Sequence, residues 1–376
     1  ILLGRDNKCD IVINHVSVSL IQAMIYREKD HFVISNKNGN DNGIIINGNI
    51  VNGTRVLTEK DVILIANAKF IYNKGRLIYQ TFDKGVSLDA IDIVKTVKVK
   101  GKKRNISEHV NLSIKAGEFV SLVGGSGAGK STFMNCINGV TKPTSGQVLV
   151  NGCDLYQNYS VLKNIIGYVP QQDIVYTDLT LIDMLNYAAD LRMPDDATKK
   201  EKKKRIKEVL DIVELSDKKD VMIKNLSGGQ KKRASIAVEL IADPKLFFLD
   251  EPTSGLDPGT ERSIMKTLRK MADLGKTIIL VTHTTLNLHL CDKIVFLGVG
   301  GKLCFSGSPS DALDFFKVDD FVDIYSMLNS DTDKWYKEFS LVDKNERVVS
   351  QDDDNISKSK HKHKSFTKQF WTLSKR

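Results

Sequence analysis

Leu226-Ser227-Gly228-Gly229-Gln230 decides the reading of this chain, together with Gly124-Gly125-Ser126-Gly127-Ala128-Gly129-Lys130-Ser131-Thr132 upstream of it. The second stretch follows directly on Phe119-Val120-Ser121-Leu122-Val123, an apolar run that reads as a buried strand, and Ser131-Thr132-Phe133-Met134-Asn135 then opens a helix. Strand, glycine loop and helix in that order are the context a true phosphate loop requires. Glycines let the backbone curl until its N–H groups point at phosphate oxygens. The helix start adds the positive end of its dipole. Lys130 supplies a point charge to the β- and γ-phosphates of a nucleoside triphosphate, and Ser131 offers a hydroxyl to Mg²⁺.

Downstream, Leu246-Phe247-Phe248-Leu249 is apolar throughout, as a central parallel strand should be. Asp250 and Glu251 emerge at its C-terminal end, where α/β sheets bind their ligands. Asp250 is the expected Mg²⁺ carboxylate, and Glu251 is the expected general base that polarises the attacking water.

A phosphate loop alone specifies only a bound nucleotide. With Leu226–Gln230 added, the chain resembles the ATP-binding-cassette ATPases over roughly residues 86–318. The resemblance implies an α/β P-loop NTPase fold with a helical subdomain, ATP and Mg²⁺ as ligands, and further roles for matching positions. Gln171, in Tyr168-Val169-Pro170-Gln171, is similar to the Q-loop glutamine that touches Mg²⁺ and water. Ser254-Gly255-Leu256-Asp257 resembles the D-loop at the dimer interface. His283, after Thr277-Ile278-Ile279-Leu280-Val281, resembles the switch histidine at the γ-phosphate. Ser227, Gly228, Gly229 and Gln230 start a helix, so hydroxyl, N–H and dipole converge there. In the family this surface contacts the γ-phosphate held by a second ATPase subunit, identical or not. One position departs: Val97, in Ile93-Val94-Lys95-Thr96-Val97, stands about where many members stack adenine on an aromatic ring.

Gly301-Lys302-Leu303-Cys304-Phe305-Ser306-Gly307-Ser308-Pro309, with Ala312-Leu313-Asp314-Phe315-Phe316 after it, is similar to the G subfamily, the White-type half-transporters. Thr284-Thr285 stand where that group often has Gln-Pro. The resemblance implies an exporter at the cytoplasmic face of a membrane, with a transmembrane domain C-terminal to this chain. From Asn355 to Arg376 there are seven Lys or Arg and no acid. Phe366, Phe370 and Leu373 fall near one helical face beside Trp371 there, the pattern of a basic interfacial helix ahead of a membrane span. A solvated tail is the plainer reading. The other basic run, Lys199 to Lys207, reads as a solvated helix face because Glu201 and Glu208 share it.

Residues 1–75 alternate short β-branched runs with turn signals such as Asn42-Gly43, Asn47-Gly48 and Asn52-Gly53, a small all-β domain. Gly4-Arg5-Asp6, Val18-Ser19-Leu20-Ile21-Gln22-Ala23 and Asp41-Asn42-Gly43 resemble the forkhead-associated (FHA) β-sandwich, which reads phosphothreonine. The strands that precede Gly-Arg in that family are not in this chain. Carried over, Arg5 and Ser19 bind phosphate and Asn42 holds the peptide backbone; guanidinium and hydroxyl suit a phosphate dianion. Leu20, Gln22 and Ile44 depart from the family pattern. A phosphothreonine reader and a degenerate docking module both fit.

The expected organisation is a sandwich at 1–75, a linker at 76–86, the cassette at 87–318 with its helical subdomain at about 172–235, and a C-terminal extension at 319–376. The sequence has 376 residues and a formal net charge of +9. Its five cysteines are unpatterned, which argues for reduced thiols in a cytosolic compartment and against a zinc site. No apolar run approaches the about 20 residues that cross a bilayer. With neither initiator Met nor signal peptide, the chain is expected to be a piece of something longer. A soluble cassette ATPase acting on nucleic acid would show tandem cassettes or long coiled-coil insertions. Neither is present, so no nucleic-acid partner is expected. A phosphopeptide scaffold with an inert ATPase conflicts with the intact Lys130, Asp250, Glu251 and His283.

Overall fold

The computed structural model describes residues 1–342 apart from 38–42, 74, 82–84, 100–101 and 173. The N-terminal strands are β1 (Leu2–Gly4), β2 (Ile11–Val12), β3 (Ala23–Glu28), β4 (His31–Asn36), β5 (Ile44–Ile46), β6 (Asn49–Val51), β7 (Thr54–Val56), β8 (Val62–Ile65), β9 (Ala68–Asn73) and β10 (Arg76–Thr81). They form two five-stranded sheets, ordered β2-β1-β3-β4-β7 and β10-β9-β8-β5-β6. Leu3, Ala23 and Ile34 from the first sheet and Ile44, Ile63 and Phe70 from the second share one core, as the period-2 alternation requires.

The expected linker at 76–86 is corrected in its first half. Gly75 (φ 72°) turns the chain straight back, and β10 pairs with β9 from Arg76↔Asn73 to Thr81↔Ala68. The sandwich therefore keeps this hairpin strand, on which Tyr79 stacks against Phe70 with ring centroids 5.8 Å apart.

In the second part, β11 (Leu88–Val99), β12 (Lys102–Ile114), β14 (Ser145–Val150) and β15 (Cys153–Asp154) make an antiparallel sheet beside a larger one. That larger sheet contains β13 (Phe119–Val123), β16 (Ile166–Val169), β17 (Leu246–Asp250), β18 (Thr277–Val281), β19 (Lys293–Gly298) and β20 (Lys302–Gly307). Its order is β16-β17-β18-β13-β19-β20, parallel except for β20. Every residue of β13, β17 and β18 is buried, so the apolar runs read from sequence are the central strands. Parallel pairing has one functional consequence: the segments after β13, β16, β17 and β18 all leave on the same side.

The helices include α1 (Lys130–Ile137), α2 (Tyr159–Leu162), α3 (Leu181–Arg192), α4 (Lys199–Ile212), α5 (Gly228–Leu240), α6 (Pro258–Asp273), α7 (Pro309–Phe316) and α8 (Phe321–Ser330). Side-chain caps set their starts. Thr198 and Glu201 form a capping box on α4, Ser227 and Gln230 one on α5, and Asp257 caps α6 with Pro258 in its first turn. Helices α3, α4 and α5 share an apolar core that includes Leu185, Val209 and Ala237.

The basic run on α4 is corrected at one position. Lys204 is solvated, but Arg205 is buried and reaches the Leu240 and Ile241 carbonyls and Asp243. Residues 319–342, the described part of the expected C-terminal extension, pack on the cassette. Ile324 and Leu328 of α8 are buried in the cassette core, and Phe315, Phe316, Trp335 and Phe339 form an aromatic cluster with Phe305. The basic segment at 355–376 lies outside the described residues. Among the described residues no helix is long and apolar enough to cross a membrane. All five cysteines are free and buried.

Candidate functional site: a phosphate-loop cavity

The glycine loop leaves β13 in conformations that only glycine holds without strain. Gly124 has φ 155°, and a Cβ there would lie 2.2 Å from the Leu297 carbonyl oxygen. At Gly129 (φ 83°) it would lie 2.3 Å from that of Ile106. The loop therefore curls inward between two fixed backbone segments. It walls a cavity of about 730 Å³ lined by Gly124, Gly125, Ser126, Gly127, Gly129, Lys130, Ser131, Thr132, Glu251 and His283. Ala128 turns into the core instead and is 2% exposed.

Lys130 is buried, with Nζ donating to the Gly124 oxygen at 2.8 Å and the Gly125 oxygen at 3.2 Å. Burial pushes its ammonium below the ordinary lysine range, while the Glu251 and Asp250 carboxylates oppose that shift. Ser131 Oγ donates to Asp250 Oδ1 at 3.0 Å. Burial raises the Asp250 carboxyl, as does the Glu251 charge, against the Ser131 hydrogen bond and Lys130. A hydroxyl beside a buried carboxylate is the hard oxygen pair that Mg²⁺ takes next to nucleotide phosphates. Among the described residues there is no cluster of three or more His, Cys, Asp or Glu that holds a metal by itself. A site completed by phosphate oxygens and water needs none.

Glu251 sits just past β17 with φ 47°, a left-handed conformation costly for a residue with a side chain. Both its oxygens are engaged: Gln171 Nε2 donates to Oε2 at 2.9 Å, and His283 Nδ1 lies 3.2 Å from Oε1. Gln171 follows β16 and His283 follows β18, so the three strand ends converge on one carboxylate. Lys232, on α5, donates to the Gln171 carbonyl at 2.6 Å. The Gln171 segment is thereby tied to the helix that begins with Ser227–Gln230, termed the signature residues below.

The signature lies elsewhere. Ser227 and Gly228 are exposed, and none of Ser227–Gln230 lines the cavity. Their polar groups are turned on each other: Gln230 N donates to Ser227 Oγ at 3.3 Å, and Ser227 N to Gln230 Oε1 at 3.0 Å. The expected D-loop packs beside them, with Leu256 Cδ2 3.4 Å from a Cβ placed at Gly228. Asp257 caps α6, and the hydrogen bonds from Thr260 hold its carboxyl below the usual range.

Two lining residues escaped the sequence reading: Tyr325 and Asn329, from α8. Asn329 Oδ1 lies 2.8 Å from where a Cβ at Gly125 would stand. Tyr325 Oη is buried without a partner, and burial raises its hydroxyl. No motif announces them; the apolar spacing Phe321–Ile324–Leu328 only places a helix there. Val97 is absent from the cavity lining.

On the sandwich, Arg5 and Ser19 are both covered. The Arg5 side chain is 9% exposed and paired with Asp196 and Glu201, and Ser19 is 3% exposed. Neither stands open to a peptide in this conformation. Asn42 lies outside the described residues.

A phosphate loop at a parallel sheet's C-terminal edge, with a paired Ser131–Asp250 and a held Glu251, defines a P-loop NTPase. Comparison with known proteins narrows it. Residues 107–254 match the ABC transporter family and residues 1–66 the FHA domain. The chain is 36% identical over 341 residues to the ABC transporter ATP-binding/permease protein Rv1747 of Mycobacterium tuberculosis, covering 88% of this chain and 38% of that protein. It is 37% identical over 222 residues to ABC transporter G family member 22 of Arabidopsis thaliana, covering 57% of this chain and 29% of that protein. The dimeric ATP-binding cassette MJ0796, solved in a post-hydrolysis state with ADP and Pi, superimposes with a TM-score of 0.53 at 31% identity. That match covers 59% of this chain and 98% of MJ0796. The chain belongs to the ABC transporter ATPase family and carries an FHA domain ahead of its cassette. It spans well under half the length of these two curated relatives.

Proposed function

We propose that this chain is the ATP-hydrolysing part of an ABC exporter of the G type, working at the cytoplasmic face of a membrane. The observation that carries the reading is Glu251, held between Gln171 and His283 at the mouth of the phosphate-loop cavity. On ATP binding, Lys130 exchanges the Gly124 and Gly125 carbonyls for the β- and γ-phosphates. The Gly124–Thr132 amides cradle the phosphates. Ser131, Asp250 and Gln171 would hold Mg²⁺, which would supply positive charge beside the phosphates. Glu251 polarises the attacking water, and His283 contacts the γ-phosphate.

The signature completes a different site. Ser227 and Gly229 lie away from their own chain's cavity, beside the exposed Asp257, and this supports a head-to-tail dimer with two composite sites. Both MJ0796 structures are dimeric as well. A second surface supports a membrane-domain partner. Ile174, Tyr176, Tyr187 and Leu191, 59–85% exposed, rim a groove of about 240 Å³ beside the Gln171 segment. An apolar helix end of the transporter's membrane part fits it, and the Lys232–Gln171 bond connects that groove to α5. The FHA domain adds regulation, with Arg5, Ser19 and Asn42 taking a phosphothreonine segment of a partner protein.

The test is assembly of a Glu251→Gln variant in saturating MgATP, followed by light scattering. A dimer that dissociates when ATP is removed is expected. A variant that stays monomeric overturns the composite-site reading.

A further inference from the structure

The sandwich sits on the cassette by the edge that carries its FHA loop residues, at three points. At one end a Cβ at Gly43 would lie 2.5 Å from Val161 Cγ2, and Ile45 and Leu64 join Val161, Leu162 and Ile165 in one apolar contact. In the middle, buried His15 places Nε2 3.1 Å from the Asp243 carbonyl oxygen. At the other end Arg5 reaches the start of α4. Its Nη2 donates to Asp196 Oδ1 at 2.6 Å, its Nη1 bonds the Glu201 carboxylate, and Asp196 Oδ2 accepts from the Leu20 backbone N–H at 2.6 Å.

This last contact has the chemistry of anion recognition. The guanidinium spans two carboxylates and a loop amide joins it on Asp196, as such donors converge on a phosphate dianion. The two acids come from the helical subdomain, far along the chain from Arg5, so chain connectivity does not impose the meeting. Arg5 Nε remains buried without a partner. The acid pair therefore leaves one donor unmet that a three-oxygen phosphate has the capacity to fill.

We propose that Asp196 and Glu201 are an internal ligand of the FHA face, and that they and a phosphothreonine segment exclude one another at Arg5. The inference rests on the phosphothreonine reading of the sandwich given above. It adds what that reading lacks: the competitor is already in the chain. Because the docked sandwich touches both α4 and the Asp243 turn ahead of β17, a phosphothreonine partner that takes Arg5 also loosens the sandwich from the helical subdomain.

The experiment uses the whole chain, with a degenerate phosphothreonine peptide library and its unphosphorylated twin as probes. The variants are Asp196→Asn with Glu201→Gln, and Arg5→Ala. Glutamine at the third helical position keeps the capping box with Thr198, so α4 is not unmade. Hydrogen exchange at the Leu20 amide reports docking directly, since that N–H is bonded to Asp196. A competitor that fills the site in about nine molecules of ten weakens apparent affinity about tenfold. The double variant should therefore bind the phosphorylated library about tenfold more tightly than wild type, and Arg5→Ala should not bind it. Saturating library should also speed Leu20 exchange in the wild type. Equal affinity of wild type and double variant overturns the competition and leaves the phosphothreonine reading standing. Absence of phosphate-dependent binding in every variant overturns that reading, and the competition with it.

Discussion

Asp243 joins three parts of the molecule, and neutralising it should cost stability. It lies in the turn between α5 and β17. Its Oδ1 accepts from Lys276 Nζ at 2.7 Å and from Arg205 Nη2 at 3.1 Å, and its Oδ2 accepts from Lys245 Nζ at 2.9 Å. His15 of the sandwich lies against its carbonyl. The side chains of Lys276 and Arg205 are 8% and 10% exposed, so neither cation has much water to fall back on. Burial would raise the Asp243 carboxyl, but Lys276, Arg205, Lys245 and His15 together hold it far below the ordinary carboxylate range. Burial also brings Lys276 down to about 8, against the opposing pull of Asp243.

Asp243→Asn is the informative change. The backbone there is left-handed (φ 52°), which asparagine tolerates, so the substitution removes charge without adding strain. One amide oxygen remains for three donors. Lys276 keeps the Pro244 carbonyl, and Arg205 keeps those of Leu240 and Ile241 and its pair with Glu208, but buried Lys276 loses its carboxylate partner. Removing one partner of a buried pair costs about 3–5 kcal/mol. The retained carbonyl bonds place this case near the lower end, about 3 kcal/mol, or roughly a hundredfold in the folding equilibrium. In urea, with a slope of about 3 kcal/mol per molar, the midpoint should fall by about 1 M. Adding Lys276→Met should return part of the loss, because the unpaired cation and not the missing carboxylate is the larger cost. A loss under about 1 kcal/mol for Asp243→Asn, with no coupling to Lys276, would refute the reasoning and put this cluster with exposed surface pairs.

Three further outcomes follow from named contacts. Glu251→Gln should lower ATP turnover by about 10²–10⁴ while nucleotide binding is retained, measured as phosphate release against filter binding; unchanged turnover would remove Glu251 as the base. Because Val97 offers no ring and does not line the cavity, GTP should compete with ATP and be hydrolysed, and a chain that hydrolyses ATP but not GTP contradicts this. His15 is lowered by burial from 6.5 to about 4, with Asp243 opposing and Lys245 and Lys276 reinforcing the shift. Its folded pKa lies below the unfolded one, so stability is fully present above about pH 6.5 and is lost as pH falls toward 4, by up to about 3 kcal/mol. Thermal midpoints at pH 7.5 and 5 should differ less in His15→Gln than in wild type; an equal drop in both would assign the effect to other groups.

How much of this was legible in the sequence depends on how local each signal is. The runs Phe119–Val123, Leu246–Leu249 and Thr277–Val281 became the central strands because an all-apolar stretch has no solvated face to offer. Once those strands run parallel, the residues after them must meet, and Lys130, Ser131, Asp250, Glu251, Gln171 and His283 lie together as their positions implied. The composition of 76–86 signals a linker, whereas Arg76–Thr81 is a strand because of its partner, β9. Arg205 was hidden in a basic run because nothing in Lys199–Lys207 tells which side chain turns inward. Tyr325 and Asn329 lay past the expected end of the cassette, at 318. The packing that brings α8 over the glycine loop is tertiary, carried by Ile324, Leu328 and the Phe305–Phe339 ring contact.

Arg5 marks the limit of a residue-by-residue reading most sharply. The sequence identifies a guanidinium beside a serine in an FHA-like loop, and that specifies the chemistry of the ligand: an anion able to accept several N–H donors. It does not specify which anion. The carboxylates of Asp196, just ahead of α4, and Glu201, in its first turn, present nearly the same target to a planar fork of donors as one phosphate does. The deciding quantity is effective concentration, which is fixed by the fold and not by the loop. The tethered Asp196 and Glu201 need no diffusional encounter, whereas a phosphothreonine partner must be supplied at a concentration that outcompetes them. A free FHA domain would therefore be a poor guide to this one. On the proposed competition, the same residues with the cassette attached would bind phosphate only to the extent that a partner overcomes the acid pair in place.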